Sequence, residues 1–277
     1  MDATAEEKRR RELITAPLLR RESIGDQYHV LTFDVPQGIE ARAGQFTMLR
    51  GAEWGDAPLL PRPMSYLTAG TMPSVLIKVL GEGTARMARA APGEPFTLLG
   101  PLGNTWQPPS PGRRPLLVAG GVGVAPLLFF ARELAASGIR PIAVYGGRTA
   151  RDLPLEDELV EVADVHVTTE DGSRGRRGRV TDVLPALASD KTEIYACGPD
   201  RMMAKVAEHC AERHLRCEVS LETPMACGYG VCLGCPVPLT DGSYLYACTQ
   251  GPCVDAARVA WGEGAHAPIR RELQGTP

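Results

Sequence analysis

The chain has 277 residues, 44% of them apolar and 23% charged, with a formal net charge of −3. That is the composition of a globular protein long enough for two cores. The longest apolar stretches, such as Arg114 to Phe130, are broken by glycine and proline and fall short of the roughly 20 residues that cross a bilayer. Charges of both signs are mixed along the chain, which argues against a nucleic-acid-binding surface.

Residues 1–14 begin with a charged run (Glu6, Glu7, Lys8, Arg9, Arg10, Arg11, Glu12) and lack the apolar core of a signal peptide. They predict a solvated tail or short helix on a cytoplasmic protein. Residues 15–110 carry short β-rich runs at Tyr28 to Phe33, Gln45 to Leu49, Ser74 to Leu80 and Phe96 to Leu99, separated by Gly and Pro. This pattern predicts a small antiparallel barrel or sandwich. Within it lie Arg62-Pro63-Met64-Ser65, the run Leu76-Ile77-Lys78, and Gly83-Thr84. An arginine at a strand start can pair with a phosphate, a serine shortly after can reach a ring edge, and a Gly-Thr pair can cap a helix. Taken singly, each is also an ordinary turn or cap.

A turn-rich stretch, Gln107 to Gly112, separates this region from residues 111–216, where the pattern changes. Leu116 to Ala119 reads as a buried strand, and Gly120-Gly121-Val122-Gly123-Val124-Ala125-Pro126 follows. Ala125 to Ala136 then carries apolar residues at helical spacing. Strand-like runs recur at Pro141 to Tyr145, Val165 to Thr169 and Glu193 to Ala196, with a last helix from Arg201 to His214. This alternation predicts a doubly wound parallel sheet with helices on both faces. A tight glycine turn between strand and helix presents backbone N–H groups to a pyrophosphate, so Gly120, Gly121, Gly123 and Pro126 are candidate dinucleotide contacts. Cys197-Gly198-Pro199 closes the last strand, at the same crevice. Cys197 either faces a nicotinamide there, as the candidate catalytic residue, or is a small buried thiol. Asp171 lies near a third strand end and could accept from a ribose hydroxyl, favouring NAD; Arg174, Arg176 and Arg177 could instead meet the extra phosphate of NADP or form a solvated loop.

Residues 217–277 turn to Gly, Cys and short strands. Of the eight cysteines, Cys227, Cys232, Cys235, Cys248 and Cys253 fall in this last part of the chain. In a reducing compartment such crowding points to ligands rather than disulfides. The spacing Cys227-x4-Cys232-x2-Cys235-x12-Cys248, with Gly228, Gly230 and Gly234 interleaved, matches the ferredoxin pattern for a 2Fe–2S cluster. Zinc is the competing reading, since Cys232-x2-Cys235 would suit a knuckle. Cys253 reads as a bystander, or as a substitute for Cys248.

Together and in this order, the Arg-Pro-x-Ser segment, the Gly-Thr turn, the Gly-Gly-x-Gly-x-x-Pro turn and the Cys-Gly-Pro loop resemble the ferredoxin reductase-like flavoproteins. With the cysteine segment added, residues 15–262 resemble the electron-transfer subunits of B-type dihydroorotate dehydrogenases. The resemblance implies an α/β plus all-β architecture: an antiparallel FAD-binding β-barrel, a nucleotide-binding domain and a small C-terminal 2Fe–2S domain. It implies FAD contacts at Arg62, Pro63, Met64, Ser65, Leu76, Ile77, Lys78, Gly83 and Thr84, and cluster ligands at Cys227, Cys232, Cys235 and Cys248. It further implies an FMN-containing catalytic partner that oxidises dihydroorotate for pyrimidine biosynthesis, with two copies of each subunit and NAD⁺ as final acceptor. Two departures stand out: Pro224 where the family more often has arginine, and Cys253 where it usually has an apolar residue. The alternatives are a reductase subunit of a transhydrogenase or hydrogenase, and a zinc-stabilised nucleotide-sensing module without redox chemistry.

Overall fold

The computed structural model describes residues 11–262, so the expectations for residues 1–10 and 263–277 lie outside the described residues. Six strands close into an antiparallel barrel: β1 (Glu12–Ile24), β2 (Tyr28–Phe33), β3 (Phe46–Gly51), β4 (Arg62–Thr68), β5 (Ser74–Lys78) and β6 (Pro95–Leu102). Their order is β1-β2-β5-β4-β3-β6. In β6 buried and half-buried residues alternate, placing Phe96 and Leu98 inward as a two-residue period requires, while Leu102, past a register shift against β3, is buried on the cysteine-segment side. A short helix, α1 (Glu82–Met87), bridges β5 and β6. Gly81 caps it, so Gly83 and Thr84 sit inside its first turn rather than at the cap; the Thr84 hydroxyl accepts from the N–H groups of Leu80 and Gly81. Strand β1 starts at Glu12, inside the expected tail, with exposed and more buried residues already alternating from Leu13 to Leu18 and its first residues paired with β6.

The second layer runs β7 (Arg114–Gly120), α2 (Val124–Ala136), β8 (Ile142–Gly147), α3 (Glu156–Val162), β9 (Asp164–Thr169), β10 (Arg176–Arg177), α4 (Val180–Leu187), β11 (Thr192–Cys197), α5 (Asp200–Glu212) and β12 (Cys217–Ser220). Sheet order is β10-β9-β8-β7-β11-β12, all parallel. Helices α2 and α3 cover one face and α4 and α5 the other, which buries β7 and β11 almost completely.

The sheet does not end at residue 216. Strand β12 joins it from beyond that boundary, and a last strand, β15 (Cys253–Asp255), pairs antiparallel with β12 at the sheet edge. Between them lie a small hairpin of β13 (Pro236–Pro238) and β14 (Tyr244–Tyr246) and the short helix α6 (Ala247–Gln250). This segment shares its core with its neighbours: Cys235, Val237 and Cys248 are buried with Phe46, Met48 and Leu102 of the barrel and Val219 of the sheet.

Candidate functional site

A cleft of about 350 Å³ opens where barrel, sheet and cysteine segment meet. From the barrel it receives Pro63, Met64 and Ser65 of β4, Leu76 and Lys78 of β5, and Thr84 of α1. Ile77 points the other way, fully buried in the barrel core, because alternate residues of a strand face opposite sides. Of the Leu76-Ile77-Lys78 run, then, two side chains reach the cleft. Arg62 starts β4, and its guanidinium lies over Gly83: a Cβ added to that glycine would fall 2.2 Å from Arg62 Nε. The arginine also donates to the Leu60 carbonyl. A cation laid over a side-chain-free turn beside Thr84 is a fitting cradle for a phosphate of FAD.

The opposite wall is the glycine turn. Gly121–Gly123 form one 3-10 turn that leads straight into α2, and Val122, Ala125 and Pro126 line the cleft. Three of the glycines are needed for loop packing. A Cβ on Gly123 would lie 2.3 Å from the Cys197 carbonyl oxygen, and one on Gly198, whose φ is +156°, 3.0 Å from Gly120 Cα. A Cβ on Gly120 would meet Pro199 Cδ at 2.9 Å. The glycine turn and the Cys-Gly-Pro loop therefore touch backbone to backbone, and side chains at these positions would push them apart. Backbone N–H groups ahead of the thirteen-residue α2 suit a dinucleotide pyrophosphate.

Cys197 lies at the floor of the cleft, 2% exposed. Burial holds its thiol well above the ordinary range; Glu222 adds to this and Ser220 partly offsets it. It is a neutral S–H group, not a thiolate. Lys78 pairs with Asp152 at 3.5 Å, and the Tyr28 hydroxyl donates to the same carboxylate at 3.2 Å, so a barrel cation and a sheet-domain acid meet beneath the glycine turn. Asp171 is not brought to the cleft. It follows β9, two strands from β7, and its carboxylate closes a turn by accepting from the Ser173 N–H and hydroxyl at 2.9 and 2.7 Å. Arg174 is likewise committed, to Glu156 at 2.7 Å.

The third wall is Ser220 to Met225, together with Pro252. The carboxyl group of Glu222 opens into the cleft; the protein packed around it, with Asp200 adding repulsion, raises its pKa. No motif announces this wall, because the segment reaches the cleft only through the pairing of β12 with β11.

Directly beyond comes the cysteine loop. Its four predicted ligands fall into two pairs, Cys227 beside Cys232 and Cys235 beside Cys248, and the Cys248 backbone N–H donates to Cys235 Sγ at 3.5 Å. Burial alone would push Cys227 up. The backbone N–H groups of Cys232, Tyr229 and Val231, with the Cys232 side chain, outweigh it and bring the thiol down to about 6. Cys248 is pushed up to about 12, by burial first and then by Cys235. Gly228 and Gly230, at φ of +79° and +93°, make the loop's tight turns and press it against Met48 and Thr249. Among the described residues no three Cys, His, Asp or Glu side chains converge as one ion would require. Two thiol pairs, one for each iron, suit a 2Fe–2S cluster. Cys253 is turned away from these pairs. It is buried, shares a core with Cys197, and packs 2.7 Å from where a Cβ on Gly44 would lie.

Family models match two parts of the chain: the oxidoreductase NAD-binding domain over residues 117–208, and the iron-sulfur cluster binding domain of dihydroorotate dehydrogenase B over residues 222–260. Among solved structures, that of an NADH-dependent reduced ferredoxin-NADP oxidoreductase, described for flavin-based electron bifurcation, covers 90% of this chain and 90% of its own at TM-score 0.80 and 29% identity. A ferredoxin NADP⁺ reductase from Neisseria gonorrhoeae, solved with FAD and NADP, shares the fold at TM-score 0.62 and 16% identity, over 72% of this chain and 91% of its own. Barrel, parallel sheet and cysteine segment thus define an oxidoreductase of the ferredoxin reductase-like class.

Closer relatives narrow the class. The protein of Bacillus caldolyticus named dihydroorotate dehydrogenase B (NAD(+)), electron transfer subunit, is 37% identical over 223 residues, covering 78% of this chain and 86% of the relative. Its namesake from Desulforamulus reducens is 33% identical over 260 residues, covering 90% and 99%. The chain belongs to the family of dihydroorotate dehydrogenase B electron transfer subunits.

Proposed function

We propose that this chain carries electrons from a dihydroorotate-oxidising partner subunit to NAD⁺, with FAD in the cleft, a 2Fe–2S cluster in the cysteine loop and the dinucleotide on the glycine turn. One observation carries the reading: the cleft wall ending at Met225 runs into Cys227 with no element between them. A flavin supplies the exchange between the two-electron hydride of a nicotinamide and the single electrons of an iron–sulfur centre.

The chain's own residues have separate tasks. Arg62 and Thr84 bind phosphate on the barrel side, while Ser65 and Leu76 orient the ring system. Gly120 to Gly123 and Pro126 hold the second dinucleotide, and Gly198-Pro199 fix Cys197 as a small neutral floor where a nicotinamide stacks. Glu222 sets a carboxyl group at the cleft wall where a proton can be given or taken, which the chemistry needs: two single electrons leave as a hydride only when a proton joins them. Cys227, Cys232, Cys235 and Cys248 hold the cluster. Around them Tyr229, Val231 and Leu233 are exposed, Val231 by 72%, a small apolar collar suited to a partner that receives or supplies single electrons. By resemblance, that partner holds FMN. No helix among the described residues is long and apolar enough to cross a membrane. The free cysteines fit a reducing compartment, and we place the complex in the cytoplasm.

A second reading has its own support: the likeness to the ferredoxin-linked enzyme would make the same machinery serve another electron donor. Co-purification from the native cell decides between them. The proposed function predicts an FMN-containing partner and dihydroorotate-dependent NAD⁺ reduction by the complex. The isolated chain should reduce artificial acceptors with NADH but ignore dihydroorotate. The mass of the complex reads out the two-of-each stoichiometry. Turnover with reduced ferredoxin and none with dihydroorotate would overturn this reading.

A further inference from the structure

Asn104, just past the end of β6, reaches across to the segment that follows the last cluster cysteine. Its carboxamide Nδ2 donates to the Cys253 carbonyl at 2.7 Å, and its Oδ1 accepts from the Cys253 N–H at 2.9 Å. Nδ2 also reaches the Gln250 carbonyl at 3.4 Å, and the Asn104 backbone N–H donates to the Gly251 carbonyl at 2.7 Å. Strand β15 is the last of its sheet, with β12 on one side and no strand on the other among the described residues. The carboxamide therefore takes the place that a neighbouring strand's peptide would hold, satisfying one donor and one acceptor at an otherwise open edge. Only an amide can do this on one planar group. An aspartate would face the Cys253 carbonyl with a second acceptor, and a leucine would offer neither.

The clamped stretch lies between the two sites. Cys248 is two residues before Gln250, and Pro252 is part of the cleft wall. The seam is tight: a Cβ on Gly103 would fall 2.6 Å from Pro252 Cδ and 2.9 Å from the Gly251 oxygen.

We infer that Asn104 is a positioning residue for electron exchange between cleft and cysteine loop, holding the Cys248 arm in one fixed relation to the flavin barrel. This rests on the proposed FAD and cluster sites, and on nothing about the partner. Because Asn104 does not line the cleft, hydride exchange with the pyridine nucleotide is independent of it.

The test uses the full chain, loaded with flavin and iron, as wild type, Asn104→Leu and Asn104→Asp. Anaerobic stopped-flow reduction by NADH follows flavin and cluster bands separately, and pulsed EPR measures the separation of the flavin radical from the reduced cluster. Both variants are expected to reduce flavin within about twofold of wild type and the cluster about tenfold more slowly, with a broadened distance distribution. Asn104→Asp keeps the bond from the Cys253 N–H, so it decides the matter if Asn104→Leu does not fold. Wild-type cluster reduction with an unchanged distance would overturn the inference. So would loss of iron from both variants with flavin retained, which marks a purely structural clasp. A wild-type chain without flavin or iron would instead sink the functional reading on which it rests.

Discussion

Glu222 is the one carboxylic acid on the cleft wall among the described residues, and its environment sets when it holds a proton. Surrounding protein and then Asp200 raise its pKa above the ordinary 4.5, so it stays neutral to higher pH than a free glutamate. NADH-dependent acceptor reduction should therefore show an ionisation above that ordinary value, and Glu222→Gln should flatten the profile across it. An identical profile in the variant would remove Glu222 from proton handling. Sequence and structure reveal such residues unequally. Ser65, Pro126 and Cys197 lie in short motifs whose local geometry is implied by neighbours in the chain. Glu222 is invisible because its position depends on strand pairing with residues more than twenty places earlier. Asp171 is the opposite case: it sits at a strand end as expected, but away from the cleft, with its Oδ1 accepting from the Ser173 N–H and hydroxyl.

At the scale of elements, buried glutamates stitch the linker between the domains to the sheet. Glu193 of β11 accepts from the Ser110 N–H at 3.0 Å, and Glu218 of β12 from the Gln107 N–H at 2.9 Å. Their surroundings differ. Arg216 sits 3.1 Å from Glu193, whose hydrogen bonds and ion pair outweigh burial and lower its pKa. Burial dominates at Glu218 and lifts it to about 7. The folded state thus binds the Glu218 proton more tightly than the unfolded state does. The stability this confers is complete below about pH 4.5 and is lost as pH rises through 7. Glu218→Gln keeps an acceptor for Gln107 and carries no charge. It should leave the denaturation midpoint nearly unchanged at about pH 4 and gain on the order of 2 kcal/mol at pH 9. A variant less stable than wild type at pH 9 would contradict this. The central elements are legible in sequence because their periodicity is strong: α2 and α5 begin within a residue of expectation. Strands β12 and β15 are not, since three or four residues carry no period and gain their structure from the sheet they extend.

For the whole molecule, the consequence is that the cysteine segment is not a separate body. Cys235 and Cys248 share one core with Met48 and Leu102, and Gly228 has room for no side chain against Met48, its Cβ position lying 2.4 Å from Met48 Cγ. Sequence spacing supplies the three regions and their chemistry, whereas their fusion around a single cleft depends on contacts between distant segments. The central claim is that this one polypeptide joins hydride exchange to single-electron relay. Its most direct test is anaerobic titration of the purified chain with NADH, followed by visible and EPR spectroscopy together with iron and acid-labile sulfide analysis. The account predicts bound FAD, about two irons and two sulfides per chain, and flavin bleaching accompanied by the EPR signal of a reduced 2Fe–2S cluster. Zinc in place of iron, no labile sulfide and no flavin absorbance would contradict it.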